Sequence, residues 1–349
     1  MRIPLTASVW ERQLRDAYYR LDDSLRVLEE SLEGSKLAPE LRSQFRRRFQ
    51  NTRESLSAFD DAESESTVRW TQRAARSVSI GTSPVHVGKI LAEHLFTAIP
   101  AVVLTSATLT TKGKFDFIRD RLGLSENTES FSLESAFDFA TQAALYVPQD
   151  LPDPRDEAYF ESALEEIVRL IALTDGGTFL LCTSLRMMEQ FATVLRKRVS
   201  QTILVQGEAP KSDLIEAFQQ SEHAVLIATS TFWEGVNVPG FALRSVIIDK
   251  LPFEVPSDPL VRARCDELER RGESAFIRYL VPSAALTLKQ GVGRLIRTTS
   301  DYGIVAVLDS RLKNKGYGKT ILQSLPDAAR CDTFENLAQF YGEANLRSG

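Results

Sequence analysis

The sequence predicts an α/β protein with a doubly wound parallel sheet that follows a helical segment. From about residue 83, short apolar runs alternate with helical patterns, and most of these runs show no polar alternation. Strands that are buried on both faces have this composition, and strands that alternate with helices form parallel sheets. Residues 8 to about 82 instead carry apolar side chains at helical intervals among many charges. We expect them to be helical.

The composition leaves room for more than one domain. At 349 residues and 43% hydrophobic content, the chain can form two or three cores. The net charge of -5 means that any nucleic-acid contact must come from a local basic surface. No run approaches the roughly 20 apolar residues that a membrane span needs, and the N-terminus has no apolar leader. We expect a cytoplasmic protein without a membrane partner.

Cysteine and histidine spacing predicts no metal site in this chain. The cysteines are too far apart for a zinc ribbon or an iron–sulfur loop, and the histidines lack ligand spacing. A reducing compartment fits this usage. The residues concerned are Cys182, Cys265, Cys331, His86, His94 and His223.

Two apolar stripes in the N-terminal part predict a pair of antiparallel helices. The triplet Arg46-Arg47-Arg48 lies between two phenylalanines of the second stripe, where it either contacts DNA phosphates or forms a solvated helix face. The first stripe is Trp10, Leu14, Leu21, Leu25, Leu28 and Leu32, and the second is Leu41, Phe45, Phe49, Leu56 and Phe59.

Hydroxyl residues recur where the predicted strands end. A single serine or threonine at such a turn is only a helix cap, but several in parallel suggest a track for phosphates. The turns are TSATLTT (105–111), TSLRMM (183–188) and TSTFWEGVNVPG (229–240). The strand-like runs are AVVLTS (101–106), ALYVP (144–148), TFLLCTS (178–184), QTILVQ (201–206), HAVLIATS (223–230), LRSVIIDKLPF (243–253) and GIVAVLD (303–309).

The stretch KGYGKT (315–320) resembles the end of a phosphate-binding P-loop. A P-loop also needs a glycine five residues before the glycine–lysine pair, because that glycine lets the backbone amides point at the phosphates. Lys313 stands at this position, within a basic stretch that reads as a helical turn. We therefore predict that the chain has no Walker A loop.

The stretch QGVGRLIR (290–297) closes a helix-forming segment and spaces Arg294 and Arg297 three residues apart, on one helix face. Two rigidly held guanidinium groups suit the spread charge of a transferring phosphoryl group, while glycines allow another surface to come close. The structural alternative is that these arginines bridge Asp301 or Asp309.

In order along the chain, several stretches resemble the motifs of superfamily 2 helicases. LTSATL (104–109) is similar to motif III, TFLLCTS to motif IV, ATSTFWEGVNVPG (228–240) to motif V and QGVGRLIR to motif VI. The wording of FDFATQAALYVPQDLPDP (137–154), VIIDKLPFEVPSDPLVRAR (246–264) and YGKTILQSLP (317–326) resembles the DinG-like and XPD-like branch. The resemblance runs from about residue 68 to about 330. Residues 1–67 match only in character, as the helical arch of that branch.

Full members of this branch carry a Walker A loop, four iron–sulfur cysteines and a DEAH-type motif, and this chain has none of them. The resemblance therefore covers the C-terminal half of a helicase. It implies an arch-like segment (1–82), the end of RecA-like motor domain one (83–135) and a complete RecA-like motor domain two (136–349). Asn237 stands where motif V usually has aspartate, which puts its coupling role in doubt.

By the resemblance, this chain supplies part of an ATP-dependent helicase that moves 5′ to 3′ on single-stranded or forked DNA in repair, at the nucleoid. ATP and Mg²⁺ would bind in a cleft completed by a motor domain one carrying Walker A and B motifs, either on a separate chain or on a part that was lost from the gene model. The implied catalytic residues are Arg294, Arg297 and Gln290. The implied nucleotide and coupling residues are Glu234, Gly235, Asn237, Gly291, Gly293, Thr105, Ser106 and Thr108. The implied DNA-binding residues are Thr183, Ser184, Thr229, Ser230, Thr231 and Trp233.

Some alternatives stay open at this point. Trp233 and Phe232 either stack on bases or belong to the core. The chain either is part of a working helicase or is a non-enzymatic module that binds single-stranded DNA or a repair partner. The strand AVVLTS would lack its neighbours here, so we expect residues 83–135 to be poorly ordered, to rest on the arch helices or to need a partner chain.

Overall fold

The structure is a computed structural model that describes residues 2–60, 66–74, 76–221, 223–229, 232 and 242–348, without the side chains of residues 7, 58, 60 and 348. The chain divides into two compact units. Unit 1 comprises Met1–Ala101, Arg121–Gly123 and Glu254–Ala275. Unit 2 comprises Val102–Asp120, Leu124–Phe253 and Phe276–Gly349.

The strands, in chain order, are β1 Arg2–Pro4, β2 Thr67–Arg73, β3 Val78–Pro84, β4 Ala143–Tyr146, β5 Thr178–Cys182, β6 Ile203–Val205, β7 Val225–Thr229, β8 Ser245–Ile248, β9 Gly303–Val307 and β10 Ala329–Cys331. The α-helices are α1 Ala7–Val9, α2 Arg15–Glu33, α3 Pro39–Asp60, α4 Gly88–Leu91, α5 Asp116–Leu122, α6 Phe139–Gln142, α7 Tyr159–Thr174, α8 Leu185–Arg198, α9 Lys211–Gln220, α10 Pro259–Arg270, α11 Val281–Val292, α12 Arg311–Asn314, α13 Gly316–Leu322 and α14 Phe334–Ser348. Single π-helical turns lie at Trp10–Leu14, Ala92–Phe96 and Phe276–Leu280.

Unit 2 contains a seven-stranded sheet in the order β10-β4-β9-β8-β5-β7-β6, and each neighbouring pair is parallel. Every residue of β4, β5, β7, β8 and β9 is buried, as the runs without polar alternation predict. The register sets the amino ends of the strands side by side, since Thr178 pairs with Ser245 and Ser245 with Ile304. The predicted α/β, RecA-like doubly wound sheet is confirmed.

The two faces of this sheet carry separate cores. On β5, Phe179 and Leu181 belong to one cluster of buried residues and Leu180 and Cys182 to the other, because successive side chains of a strand point to opposite faces. α9 and α11 cover the first face, while α7, α8 and α14 cover the second. Helices on both faces account for the absence of a polar face on the strands.

The stretch KGYGKT is helical, with Gly316–Leu322 forming α13. A Cβ atom on Gly318 would lie 2.0 Å from the carbonyl oxygen of Leu312, so this glycine allows α13 to pack closely on α12. The predicted helical turn before it is α12. The glycine therefore serves packing here, and the stretch is not a phosphate-binding loop.

Unit 1 combines the α2–α3 hairpin with the antiparallel sheet β1-β2-β3, and α10 contacts β1 and β2. Trp10 and Phe59 are both 3% exposed and meet edge to face, with centroids 4.9 Å apart. The Arg69 guanidinium lies 5.2 Å from the Trp10 ring centroid, and its Nε donates to the Phe59 carbonyl at 2.7 Å. This cluster joins β2 to the end of α3 and to the turn that precedes α2.

Ion pairs join the two hairpin helices. Arg53 of α3 contacts Asp22 at 2.9 Å and Glu29 at 3.4 Å on α2, and Arg46 contacts Glu33 at 2.9 Å. Arg46, from the basic triplet, therefore already has an acidic partner. Within the two predicted apolar stripes Trp10, Leu25 and Phe59 are buried, whereas the exposed members include Leu21, Leu28, Leu41 and Phe45.

Two predictions about local structure are wrong. The helical segment does not continue to residue 82, because residues 67–84 contain the β2–β3 hairpin, where Trp70 and Thr71 favour the extended backbone. AVVLTS (101–106) does not form a strand. Described residues offer its backbone no ladder partner, and Val103 is 88% exposed. A strand needs a hydrogen-bonded neighbour, and the run has none.

None of the described helices combines the length and apolarity required to cross a membrane. Across the same residues, histidine, cysteine and acidic side chains form no cluster suited to a metal ion.

Candidate functional site

The residues of QGVGRLIR lie at and beyond the end of α11. The helix stops at Val292, so Arg294 and Arg297 follow it, and the prediction that they share a helix face is wrong. The Arg294 amide donates to the Gly291 carbonyl at 3.2 Å, which forms a turn after the helix. We call Gln290, Arg294 and Arg297 the arginine cluster. Gln290 is exposed and both arginines are partly buried.

A buried carboxylate holds the backbone at Arg297 and Thr298. Asp301 is 6% exposed, and its Oδ2 accepts from the amides of Arg297 at 2.8 Å and Thr298 at 2.9 Å. Its Oδ1 accepts from the Thr298 hydroxyl at 2.8 Å. From α6, the Gln142 Nε2 donates to the carbonyls of Thr298 and Asp301 at 3.0 and 2.8 Å. The backbone that carries Arg297 is thus fixed on both sides.

The electrostatics of the cluster disfavour charge on Arg297. Burial is the largest cause that lowers the pKa of its guanidinium, and the nearby Arg294 lowers it further, while Asp301 opposes both. An arginine remains charged under these conditions. A partly buried pair of cations favours an anion between or beside them.

Asp309 is not available as the alternative partner of these arginines. It lies beyond the carboxyl end of β9, whereas Arg297 precedes the amino end of that strand. Asp309 forms a two-pronged pair with Arg311, at 2.9 Å to Nε and 2.7 Å to Nη2, and accepts from the Leu251 amide at 2.8 Å. The Asp301 alternative holds for the Arg297 backbone amide.

The two glycines of the motif have different surroundings. Gly291 is buried on the packed side of α11, and Gly293 is exposed. A Cβ atom on Gly293 would first meet the carbonyl oxygens of Lys289 at 3.3 Å and Gln290 at 3.8 Å. Both oxygens belong to its own helix, so described residues place no other segment against Gly293.

The loop of Thr105, Ser106 and Thr108 lies near the same end of α11. Ser106 and Thr108 pair through their hydroxyls at 3.1 Å, and Thr105 is exposed. Two residues on, the Thr110 hydroxyl accepts from the Lys289 Nζ at 3.4 Å, and the Lys112 amide donates to the Ser324 hydroxyl at 3.0 Å. The structure thus brings the motif III stretch to the helix that precedes the arginine cluster.

Thr183 follows the carboxyl end of β5, where it donates hydrogen bonds to a buried carboxylate. Its amide donates to Asp249 Oδ1 at 2.8 Å and its hydroxyl lies 3.3 Å from Oδ2. Asp249 is fully buried, and burial raises the pKa of its carboxyl to about 7, against the pull of Lys250 and the Thr183 and Lys250 amides. Thr183 therefore has an internal partner.

The neighbouring hydroxyls have internal partners too. Ser184 caps α8, its Oγ accepting from the Met187 amide at 3.3 Å. Thr229 is 8% exposed, and both its amide and its hydroxyl donate to Gln206 Oε1, at 2.8 and 3.0 Å. Phe232 is 6% exposed and belongs to the hydrophobic core, so of the two alternatives for this residue the core role holds and base stacking does not.

Six predicted site residues lie outside the described residues, namely Ser230, Thr231, Trp233, Glu234, Gly235 and Asn237.

The described site residues form two groups, at opposite ends of the strands of the parallel sheet. Thr183 and Thr229 stand at the carboxyl ends of β5 and β7, whereas Arg297 precedes the amino end of β9. One ligand of nucleotide size does not bridge a five-residue strand of about 3.3 Å per residue and also contact both groups. The two groups therefore lie at opposite ends of the strands and do not form a single small site.

The sequence reasoning missed Asp249 and Lys289, and it named Asp301 and Asp309 only as alternative partners of the arginines. Asp249, Asp301 and Asp309 are all buried, and Lys289 contacts the motif III loop. An aspartate that directly follows a buried run, as in IIDK and VLD, was a usable signal, since a buried charge needs hydrogen-bond donors around it. No such signal marked Lys289.

An open pocket of about 330 Å³ lies beyond the carboxyl end of β4. Its lining includes Tyr146, Glu166, Arg169 and Phe334. Arg169 pairs with Glu166 at 2.7 Å and stacks on the Phe334 ring at 3.9 Å. None of the predicted site residues lines this pocket, and its polar groups largely satisfy one another.

Comparison with known proteins agrees with this layout. Residues 167–328 match the family model described as a helicase C-terminal domain. The chain is 40% identical over 271 residues to the ATP-dependent DNA helicase YoaA of Haemophilus influenzae, covering 78% of this chain and 42% of that protein. It is 40% identical over 256 residues to the ATP-dependent helicase DinG of Mycobacterium tuberculosis strain H37Rv, covering 72% of this chain and 38% of that protein. The chain thus spans less than half the length of these relatives.

A solved XPD helicase structure has the same fold. It superposes with a TM-score of 0.60 at 15% sequence identity, covering 86% of this chain and 56% of that one.

Proposed function

Because the chain belongs to the DinG-like and XPD-like branch of the superfamily 2 helicases, whose C-terminal half it matches, we propose that it is the C-terminal motor portion of an ATP-dependent DNA helicase. In this role it binds single-stranded DNA and supplies arginines for ATP hydrolysis. Its place of action is the bacterial cytoplasm, at the DNA under repair.

The arginine cluster is the observation that carries this proposal. Asp301 and Gln142 fix the turn of Arg297, and Arg294 is close enough to lower the pKa of the Arg297 guanidinium. Preset cations beside a γ-phosphate stabilise the charge that spreads over its oxygens during transfer. Arg294 and Arg297 contact that phosphate in the proposed site, with Gln290 beside the attacking water.

The residues present fit only one side of a site for ATP and Mg²⁺. The cations and the motif III loop suit the terminal phosphate, whereas the sequence offers neither a P-loop nor an acidic motif for the metal. When bound, Mg²⁺ would neutralise part of the charge that develops on the phosphates. We place its ligands, with the Walker A loop, on motor domain one.

The hydroxyl residues at the carboxyl ends of the strands are the proposed DNA track. Thr183, Ser184 and Thr229 keep oxygen lone pairs beside their internal bonds, since a hydroxyl both donates and accepts. Ser230, Thr231 and Trp233 complete the track, and Glu234, Gly235 and Asn237 link it to the cleft. The placement of arginines and hydroxyls at opposite ends of the strands supports separate nucleotide and DNA contacts. Movement 5′ to 3′ is what the family resemblance implies.

An exposed apolar run supports the proposal of a partner chain. Val102, Val103 and Leu104 are 36%, 88% and 40% exposed, and Phe131 and Leu133 are 78% and 92% exposed. Water contact with such surface is unfavourable, and a run of β-branched residues fits a sheet. The occupant we propose is motor domain one, which adds strands beside residues 101–106.

Binding of this chain alone to an oligothymidylate, measured by fluorescence anisotropy together with ATP hydrolysis, tests the proposal. We expect binding that weakens as salt rises and no hydrolysis without motor domain one. Absence of DNA binding contradicts the DNA-binding part. Binding with no hydrolysis under any pairing with motor domain one favours the alternative, a non-enzymatic DNA-binding module.

A further inference from the structure

A lysine to which the described residues offer no counter-charge lies against the motif III loop. Lys289 is partly buried in the last turn of α11, and its Nζ lies 3.4 Å from the Thr110 hydroxyl. It forms no ion pair with any residue that the structure describes, and burial alone lowers the pKa of its ammonium. Removing a charge from water without pairing it costs stability. A cost of this kind is what a binding group shows in the absence of its ligand.

The loop opposite Lys289 adds donors and positive charge. Ser106 and Thr108 present hydroxyls at the surface, joined at 3.1 Å. After Thr110 the chain makes a tight turn, with mutual backbone hydrogen bonds of 3.0 Å between Thr111 and Lys114. Lys112 and Lys114 of this turn are exposed. The loop that Lys289 contacts at Thr110 therefore carries two further lysines, Lys112 and Lys114.

From this geometry we propose that Lys289, with the Thr110 hydroxyl, binds a phosphate oxyanion. The proposal rests on the proposed function and extends its site to a residue that neither the motif spacing nor the family resemblance singles out. An ammonium group and a hydroxyl are standard donors to phosphate oxygens. The oxyanion belongs either to a DNA phosphodiester or to the phosphates of a nucleotide, and the experiment below separates these sources.

The test compares the wild-type chain with Lys289→Met, which keeps the side-chain length but removes the charge. Lys197→Met is the matched control, because Lys197 is exposed at the end of α8, which packs on the other face of the sheet. The probes are a 20-residue oligothymidylate by fluorescence anisotropy and sodium tripolyphosphate by calorimetry. Lys289→Gln replaces Lys289→Met if the latter fails to fold, since a glutamine remains able to hydrogen-bond.

We expect Lys289→Met to weaken the binding of one of the two ligands about tenfold, because one charge-assisted hydrogen bond contributes on that scale. If DNA is that ligand, the slope of log K against log salt falls by about 0.7, one phosphate contact on a single strand. If tripolyphosphate is weakened instead, the oxyanion belongs to the nucleotide. The melting temperature of Lys289→Met is expected to equal or exceed that of the wild type.

Three results overturn the inference: unchanged binding of both probes, equal losses in Lys289→Met and Lys197→Met, or no binding of either probe to the wild type. A wild type that binds tripolyphosphate through Lys289 but not DNA leaves the inference standing and contradicts the DNA-binding part of the proposed function. Failure of the two is therefore distinguishable.

Discussion

Asp301 accepts a hydrogen bond from the backbone amide of Arg297 at 2.8 Å, so a buried carboxylate fixes the arginine by its main chain. The same Oδ2 also takes the Thr298 amide at 2.9 Å. An aspartate side chain that accepts nearby backbone amides holds the local turn and sets the direction of the side chains there. The position of Arg297 thus depends on Asp301.

Asp301→Ala is expected to lower the free energy of unfolding by about 1–3 kcal/mol, because it removes the acceptor of two backbone amides and a hydroxyl. Chemical denaturation monitored by circular dichroism measures this. Asp327→Ala, at an exposed position of the same unit, is the control and should change stability by less than about 0.5 kcal/mol. Equal effects of the two variants would contradict the role assigned to Asp301.

The buried Asp249 predicts a pH dependence of stability. Its pKa is about 7 in the folded chain against 3.8 for the ordinary side chain, because burial disfavours the ionised form. The folded state then holds a proton that the unfolded state has released between these values. The contribution of Asp249 is therefore full below about pH 4 and is lost as the pH rises through about 7.

Asp249→Asn removes this titration and suits the site. The amide oxygen replaces Oδ1, which accepts from Thr183 and Lys250 amides at 2.8 and 2.7 Å, and the amide nitrogen faces the Thr183 hydroxyl. We expect the wild type to lose stability relative to Asp249→Asn between pH 4 and pH 7, in denaturation curves taken at each pH. A constant difference over that range would show that Asp249 does not titrate there.

Val103 provides a test of the proposed partner surface. Val103→Asp is expected to weaken association with the part of the Haemophilus influenzae relative that this chain does not match by at least tenfold, because a charge would enter a sheet interior. Titration calorimetry measures the dissociation constant. Val78→Asp changes a valine that is 67% exposed in β3 and should have no effect. Equal binding by all three proteins would place the interface elsewhere.

The sequence predicted the parallel sheet well because buried strands have an unmistakable composition. β5, β7, β8 and β9 lie inside the apolar runs identified for them. The hairpin β2–β3 was missed because its pattern mixes Trp70 with Arg69 and Gln72 next to a helical segment. AVVLTS misled for another reason, since its composition suits a strand whose neighbours the described chain does not contain.

The site was predictable in its residue types and less so in its geometry. QGVGRLIR locates Arg294 and Arg297, but spacing alone extended α11 through both, whereas the Asp301 carboxylate holds the Arg297 amide in a turn. The internal partners of Thr183 and Thr229 come from Asp249 and Gln206, which are 66 and 23 residues away in sequence. The domain boundaries at residues 82 and 135 remain predictions.

The central claim is that Arg294 and Arg297 act on a phosphate bound by motor domain one. The most direct measurement is ATP hydrolysis, with single-stranded DNA present, by this chain mixed with the unmatched part of the Haemophilus influenzae relative. Wild type, Arg294→Ala, Arg297→Ala and the exposed control Arg155→Ala are compared. We predict hydrolysis only in the mixture, reduced about 10³-fold or more by either cluster variant and unchanged by Arg155→Ala. Hydrolysis that survives both cluster substitutions would contradict the claim.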